Sequence, residues 1–453
     1  DIGGLIALLT PATTPPANLG TLTGGFKMNA SGGGYSLSQL ALASPASSPL
    51  QLRLDGGGNY NAEETWQGEF TLGFGSDDRA LLEALSGLPL APVGGFMTLA
   101  MDPATATLAS KTRVGTTELA LHVEASHSEG KLSSLSASLE SPLARLRDLG
   151  LQATGTDEDS YRPAEKLEPV AENTTLQRLL ELAPRYPLDL RLALGSLQGD
   201  ESRFDDINVH ITGADTTYLL REFDFVYASA PAQIRGVIDI SLTPPGLSIA
   251  GQAESIPLNT LSRDLGIETD ISGALNVRGG LSGQGATGAE LLAQLDGTVG
   301  AALEAATIEG AAYDVLASGI LTWLFSGAAR EESTYLDCVM AQFSLEDGVA
   351  RSNDIFVESP NMTATGVGEF NLPARTLALT LTPRSKSRSI QIPSSISLRG
   401  DMASPRTSVS PVTTTLDMTS EALLFLPRLV LRIFGIGKHD KTAQRSCVIT
   451  VNP

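Results

Sequence analysis

The clearest pattern along the chain is an alternation of apolar and polar residues that recurs in many short segments. Between Leu188 and Leu194, leucines stand at every second position, with Asp189 and Arg191 between them. Because successive side chains of a β-strand point to opposite faces, this period predicts a strand with one apolar face. The same period recurs in residues 50–54, 70–74, 119–123, 207–211, 223–227, 234–242, 377–381 and 396–398. The pattern predicts a mainly β protein.

The gaps between these segments are short and rich in Gly, Pro, Asn and Asp, which favour turns. Hairpin-length connections without crossover helices predict an antiparallel arrangement of the strands. Helical periodicity is confined to a few short segments. These are residues 78–86, 143–149, 175–183, 258–265, 289–295, 310–326 and 418–436.

So few helices cannot cover the apolar faces of a dozen or more strands. Those faces must either pack against each other in a sandwich or barrel, or line a groove that something else fills. Periodicity alone does not choose between the two.

One segment interrupts the strand pattern and suggests a boundary. Residues 156–173 (TDEDSYRPAEKLEPVAEN) are acidic, contain proline and show no period, which predicts an exposed loop. We expect a β-rich segment with short helices over 1–155, this loop over 156–173, a middle β segment over 174–272 and a C-terminal module over 273–453.

Charge and composition restrict the possible partners. The chain has 453 residues, a formal net charge of −20 and 42% hydrophobic residues, which is typical of a folded protein with an acidic surface. No cluster of Lys and Arg is present to bind phosphates, so nucleic acid is a poor candidate partner. No run of 18 apolar residues is present, and the start at Asp1 predicts a processed or partial product.

The sequence offers little to support an enzyme. Gly283-x-Gly285-x-x-Gly288 matches a dinucleotide fingerprint in letters, but no parallel βαβ unit surrounds it, so we interpret it as a turn. The four histidines are scattered, and the paired carboxylates stand in turn-like segments. We expect no catalytic residue, no metal site and no cofactor.

The two cysteines, Cys338 and Cys447, are too few for a four-ligand zinc site, and neither belongs to a CxxC pair. A structural disulfide fits an oxidising compartment such as a periplasm. The alternative is two buried thiols, and we favour the disulfide.

Residues 418–436 predict an unusually apolar helix. Arg428 and Arg432 are four positions apart and share one face, while residues such as Leu424, Leu431 and Phe434 occupy most of the rest. Such a helix either packs into the β structure or lies at a membrane surface or groove end. We favour burial against the sheet, because a helix that is apolar all round is usually buried.

From residue 273 onward an ordered series of short motifs is present. It comprises Glu290-Leu291-Leu292, Leu295-x-Gly297, Ile308-Glu309-Gly310, Asp314, the stretches 343–349, 358–362 and 365–372, Leu377-x-Leu379-x-Leu381-x-Pro383, Ile392-Pro393-x-x-Ile396-x-Leu398-x-Gly400 and Pro405. In this order, the motifs resemble the C-terminal module of the AsmA family.

The resemblance implies a non-catalytic protein of the Gram-negative envelope. It implies a bulk in the periplasm, anchored in the inner membrane by a segment outside this chain, and an extended, twisted antiparallel sheet curled into an apolar groove for phospholipid. Envelope proteins are further possible partners. Under this resemblance the groove-lining residues are Leu119, Leu121, Val123, Leu188, Leu190, Leu192, Leu194, Ile238, Ile240, Leu377, Leu379, Leu381, Ile396 and Leu398.

The leading hypothesis is therefore a protein that handles or conducts phospholipid, or assists outer-membrane biogenesis. The alternative is a non-catalytic β-rich scaffold whose apolar faces pack on each other and which assists the assembly of an outer-membrane protein or complex.

Overall fold

In a computed structural model of the chain, the described residues are 21–31, 34–61, 66–128, 131–151, 187–199, 202–264, 271–309, 333–360, 362–386, 395–402, 406–410 and Cys447. The chain divides into two compact units. Unit 1 comprises Asp1–Val170 with Glu181–Tyr227, and unit 2 comprises Ala171–Leu180 with Ala228–Pro453.

Unit 1 is built from strands that follow each other along the chain. They are β1 (Thr23–Ser31), β2 (Gly34–Ala43), β3 (Gln51–Tyr60), β4 (Trp66–Ser76), β5 (Val93–Met101), β6 (Thr105–Val114), β7 (Thr117–Ser128), β8 (Lys131–Ser141), the two-residue β9 (Ala144–Arg145), β10 (Leu188–Gln198), β11 (Arg203–Ala214) and β12 (Thr217–Tyr227).

From β1 to β8 each strand pairs antiparallel with the next, and β10 to β12 continue in the same way. The exception is β10, which pairs parallel with β8 and β9. The prediction of an antiparallel sheet therefore fails at this one place. It fails because the residues that join β9 to β10 are many more than a hairpin needs, so the chain can return to the same end before it pairs.

Unit 2 is an uninterrupted antiparallel meander, since every strand pairs with the next one along the chain. Its strands are β13 (Ala230–Asp239), β14 (Gly246–Pro257), β15 (Ile271–Gln284), β16 (Asp296–Glu309), β17 (Ser333–Glu346), β18 (Val349–Ser359), β19 (Met362–Asn371), β20 (Thr376–Ser385), β21 (Ser395–Asp401) and β22 (Arg406–Ser410). The mainly β fold class predicted from the sequence is confirmed.

The helices of the described residues are short: α1 (Arg79–Ser86), α2 (Leu258–Asp264) and α3 (Gly288–Ala293). All three fall on predicted helices. Asp78 caps α1, because its carboxylate accepts a hydrogen bond from the Leu81 amide at 3.1 Å.

One predicted helix is wrong, and others cannot be compared. Residues 143–149 form β9 and a turn instead of a helix, because Ala144–Arg145 pairs with β10. The predicted helices at 175–183, 310–326 and 418–436, and the predicted loop at 156–173, lie outside the described residues. The proposed domain boundaries stay a prediction.

The buried core of the described residues is divided into small clusters. In unit 1, Leu50 and Leu81 pack with Leu22, Leu52 and Leu85, so that α1 covers one end of the sheet. In unit 2, a second cluster surrounds Cys447. The strands otherwise make their extensive contacts with their neighbours in the sheet, and in unit 2 with α2 and α3. Much of the apolar surface of the strands is therefore only half-buried.

A buried polar knot holds the β6–β7 turn of unit 1. The Asp148 carboxylate accepts hydrogen bonds from the Thr116 amide at 2.8 Å and from the Thr117 hydroxyl at 3.2 Å. Thr117 is fully buried and Asp148 is 7% exposed. Burial alone would raise the pKa of Asp148, but the hydrogen bonds from Thr116 and Thr117 and the charge of Arg147 outweigh it and lower that pKa.

Cys338 of β17 and Cys447 form a disulfide across a sequence separation of 109 residues. Cys447 packs against Ala302 and Met340, with Phe356 at the margin of the cluster. The predicted disulfide is confirmed, and it fixes a position near the end of the chain to the middle of the unit 2 sheet.

We expect Asp148→Ala to lower the free energy of unfolding by about 1–3 kcal/mol, because buried donors lose their acceptor. Since the pKa of Asp148 is lower in the folded protein, its contribution is present above the ordinary value of 3.8 and is lost as the pH falls through the folded value. Urea unfolding at neutral and acid pH measures both effects. Asp102→Asn, at an exposed turn aspartate, is the control, and an equal loss for both variants would contradict the prediction.

We expect replacement of both Cys338 and Cys447 by serine to lower the free energy of unfolding by roughly 4–5 kcal/mol, by the loop-entropy model. Reductant should lower the unfolding midpoint of the native protein to about that of the double variant. The midpoint of the double variant itself should not change. A native midpoint that is insensitive to reductant would contradict the prediction.

Candidate apolar binding face

In unit 1, cross-strand register joins apolar side chains into a row that crosses ten strands. Directly paired residues of neighbouring strands lie on the same face of a sheet, so the register defines the row. The row is Leu42–Leu54–Leu72–Met97–Ser110–Leu121–Leu139–Leu192–Val209–Phe223. Nine of its ten members are apolar, and Ser110 is the exception.

The residues that neighbour this row along each strand are also in register, and they form a second row on the opposite face. This row is Ala43–Arg53–Gly73–Phe96–Lys111–Ala120–Glu140–Ala193–Asn208–Asp224. It carries charges of both signs, whereas the apolar row carries none. The apolar row is half-buried apart from the buried Ser110, while Arg53, Lys111 and Glu140 are exposed. The sheet of unit 1 therefore has an apolar face and a polar face.

Unit 2 repeats this division with smaller side chains. Its apolar row is Ala232–Ala253–Val277–Ala301–Ala341–Ile355–Gly366–Leu381. On the opposite face the register gives Gln233–Gln252–Arg278–Gly300–Gln342–Asp354, with a hydrogen bond of 2.8 Å from Arg278 to Gln252. Five of the eight residues in this apolar row are alanine or glycine.

Glycines let large apolar side chains lie flat on this face. A Cβ at Gly366 would come within 2.4 Å of a methyl group of Leu381. In unit 1, a Cβ at Gly56 would come within 2.9 Å of the Phe70 ring. The face is thus smoothed by large side chains that cover neighbouring glycines, an arrangement also used to protect glycines in sheets.

The predicted groove-lining residues that lie in strands fall on the apolar faces. Leu119, Leu121 and Val123 of β7 share the face of Leu188, Leu190, Leu192 and Leu194 of β10. In unit 2, Leu377, Leu379 and Leu381 of β20 pair with Phe370, Gly368 and Gly366, and Leu379 also pairs with Leu398. Ile238 pairs with Leu247, Ile240 follows the end of β13, and Ile396 is in register with Leu381. That these residues contact lipid stays a prediction.

The other predicted site residues are not part of this face. Cys338 pairs with Glu304 and Glu358, so the disulfide lies on the opposite face of unit 2 from Val339 and Val357. The predicted helix residues Leu424, Arg428, Leu431, Arg432 and Phe434 lie outside the described residues.

Two depressions in unit 1 lie on the polar face. The larger, of about 1110 Å³, is lined by polar-row residues including Phe96, Lys111 and Glu140. The smaller, of about 440 Å³, lies beside Asp189 and Thr212. Because charged side chains line both, neither is suited to an acyl chain.

The polar face carries ion pairs, some within one strand, such as Asp189 with Arg191, and some between neighbouring strands, such as Arg113 with Glu118. Asp189 accepts a hydrogen bond from the Arg191 guanidinium at 3.0 Å and lies 3.2 Å from the His210 ring. The hydrogen bond from Arg191 lowers the pKa of Asp189, with a further contribution from His210. The Arg191 and Asp189 side chains are more than a third exposed, so the pair contributes little to stability.

Sequence periodicity missed much of the apolar row in unit 2. Ala253, Ala301 and Ala341 stand in segments where apolar and small residues fill both sets of positions, so alternation gives little contrast. A search for small residues at every second position would have recovered part of the row.

Among the residues that the structure describes, no group of His, Cys, Asp and Glu could hold a metal ion. In the same residues, no helix is long and apolar enough to cross a membrane.

The register rows define a class of protein: a long, one-sided, mainly antiparallel β-sheet whose apolar rows carry no charged side chain. A sequence model of the AsmA family matches residues 99–355, more than half of the chain. The chain belongs to the AsmA family, a family of bacterial envelope proteins. No curated protein and no solved structure matches the chain significantly.

The family match begins upstream of the motifs that carried the resemblance. It takes in β6 to β8 and β10 to β12 of unit 1 as well as unit 2 as far as Ile355 in β18. The motifs from Glu358 onward lie beyond the matched residues.

The degree of burial of the apolar face can be tested by truncation. We expect Leu121→Ala to lower the free energy of unfolding by less than about 1.5 kcal/mol, because a half-buried side chain leaves no closed cavity. Leu82→Ala in α1, where Leu82 is 7% exposed, should cost about 2–5 kcal/mol and is the matched control. Equal losses, measured by urea unfolding, would instead favour the closed scaffold.

Proposed function

We propose that this protein handles phospholipid in the bacterial periplasm, with acyl chains lying along the apolar face of its sheet. The observation that carries the proposal is the apolar row of unit 1, which crosses ten strands and carries no charge. Membership of the AsmA family supports a role in the envelope.

The physical chemistry of the face suits a lipid tail. An acyl chain gains about 0.8 kcal/mol for each CH₂ that leaves water, so a long chain can be held without polar contacts. The half-buried side chains around Leu121 and Leu192 supply such a surface. Curling of the sheet around the lipid would bury these side chains further.

The face also suits movement of a lipid along it. A ligand that must slide should meet no strong local anchor, because each anchor adds a barrier to the next step. Alanine and glycine in the unit 2 row and leucine in the unit 1 row present a nearly uniform apolar surface. The polar headgroup would point away from the apolar face and remain in contact with water.

The disulfide supports the proposed compartment. Disulfides persist in oxidising spaces such as the periplasm and are rare in the cytosol of most bacteria. Cys338 and Cys447 are both nearly buried, at 7% and 6% exposure, as expected of a structural disulfide. Anchoring in the inner membrane remains part of the proposal.

Mass spectrometry of organic extracts tests whether phospholipid copurifies with the protein. We expect phospholipid in the native extract, and photocrosslinks to it from probes placed at Leu190 and Leu379 on the apolar face. Probes at Arg191 and Ala378, which neighbour them on the opposite face and are exposed, are matched controls and should give few crosslinks.

Protein that carries no phospholipid and gives no crosslink from Leu190 or Leu379 would refute the proposal. Equal crosslinking from Arg191 and Ala378 would show lipid adhering to the surface without regard to face.

A further inference from the structure

The apolar face of unit 1 extends to β1, which pairs with β2 alone among the described strands, and there the face becomes most exposed. Phe26 and Met28 of β1 are 61% and 58% exposed, and Tyr35 of β2 and Trp66 of β4 are 51% and 55% exposed. We call these four residues the aromatic edge.

Register places the aromatic edge on the same face as the apolar row. Met28 pairs with Leu37, and Leu37 pairs with Gly58. Gly58 lies an even number of positions from Leu54 along β3, so it shares the face of Leu54. Tyr35, Tyr60 and Trp66 pair in succession, and the rings of Tyr60 and Trp66 lie 5.1 Å apart. The apolar face is therefore continuous from the half-buried centre of unit 1 to an exposed margin.

The charge of this margin differs from that of the rest of the chain. Residues 2–54 contain neither Asp nor Glu, although the chain has 51 acidic residues and a net charge of −20. Lys27 is the single charged residue of β1 and β2. Asp55, where acidic residues resume, is paired with Arg53 at 2.7 Å. An anionic surface would meet less repulsion at β1 and β2 than at an average part of this protein, whereas Trp66 on β4 follows Glu63 and Glu64.

The edge strand is poorly suited to adding another strand. A register shift between Gly25 and Lys27 interrupts the ladder of β1, and Lys27 stands on the strand itself. Bulges and edge lysines are devices that discourage pairing between sheet edges. A second copy of this chain is therefore a poorer occupant than a surface without strands.

The side chains of the aromatic edge match the boundary of a lipid bilayer. Tyr and Trp prefer the membrane–water interface because they join an apolar ring to a polar group, and Phe and Met insert among acyl chains. We propose that the aromatic edge docks on the surface of a phospholipid bilayer, placing the end of the apolar face against the lipids. This inference rests on the proposed function, since it gives that face its source or destination of lipid.

Flotation of the full chain with vesicles of phosphatidylethanolamine and phosphatidylglycerol tests the docking. We expect the native protein to float, and Phe26→Ser combined with Met28→Ser to reduce the partition coefficient about tenfold or more, because two large apolar side chains are lost. Phe96→Ser is the matched control: Phe96 is 49% exposed on the polar face, and its loss should leave flotation unchanged.

Two further measurements separate charge from apolar insertion. Lys27→Glu should weaken binding to vesicles that contain phosphatidylglycerol and have little effect with phosphatidylcholine alone. In a Trp323→Phe background, the fluorescence of Trp66 should shift to shorter wavelength when vesicles are added. Phe26, Met28, Lys27 and Phe96 are exposed, so circular dichroism of their variants should show an unchanged fold.

Flotation that is absent, or that persists unchanged in the Phe26/Met28 variant, would overturn the docking. So would concentration-dependent self-association that the same variant abolishes without any effect on flotation, because it would make the edge an interface between proteins.

Failure of the proposed function gives a different result. A native protein that copurifies no phospholipid but floats through its aromatic edge would refute lipid handling and leave the docking standing. If the native protein carries phospholipid but the Phe26/Met28 variant floats equally well, the docking is refuted and lipid handling stands.

Discussion

The two-residue period of the strands is the constraint on which the rest of this structure depends. Because paired residues share a face, register converts separate alternating segments into rows such as Leu54–Leu72–Met97. A slip of one residue in β3, β6 or β8 would bring Arg53, Lys111 or Glu140 onto the face of the leucines. Strand order along the chain makes this register easy to maintain, since nearly every strand pairs with its neighbour in sequence.

An apolar face of this length needs something to cover it. Small buried clusters lie around Leu50 and Leu81 in unit 1 and around Cys447 in unit 2, while the apolar members of the unit 1 row are half-buried. The short helices cover strand ends and not the rows. A lipid tail suits this role because it removes apolar surface from water without requiring a fixed side-chain geometry.

The two faces of the sheet carry different kinds of contact. Polar contacts such as Asp189 with Arg191 and Arg278 with Gln252 lie on the polar face, and the disulfide at Cys338 also lies away from the apolar row, whereas Ser110 and Thr112 hydrogen-bond on the side of that row. Covalent and polar stabilisation on one side leaves the other side uniform. The knot at Asp148 lies at strand ends, where it fixes a turn without interrupting the rows.

The sequence by itself determined the strands, their one-sided character and the helices α1, α2 and α3, because local periodicity and capping are encoded by neighbouring residues. It also favoured a disulfide between Cys338 and Cys447 over two buried thiols, on the argument of an oxidising compartment. Only the tertiary structure decided the parallel pairing of β8 with β10, the failure of the helix at 143–149 and the alanine-rich row of unit 2. Each of these depends on contacts between residues distant in sequence, and alanine and glycine give too little contrast for periodicity to detect.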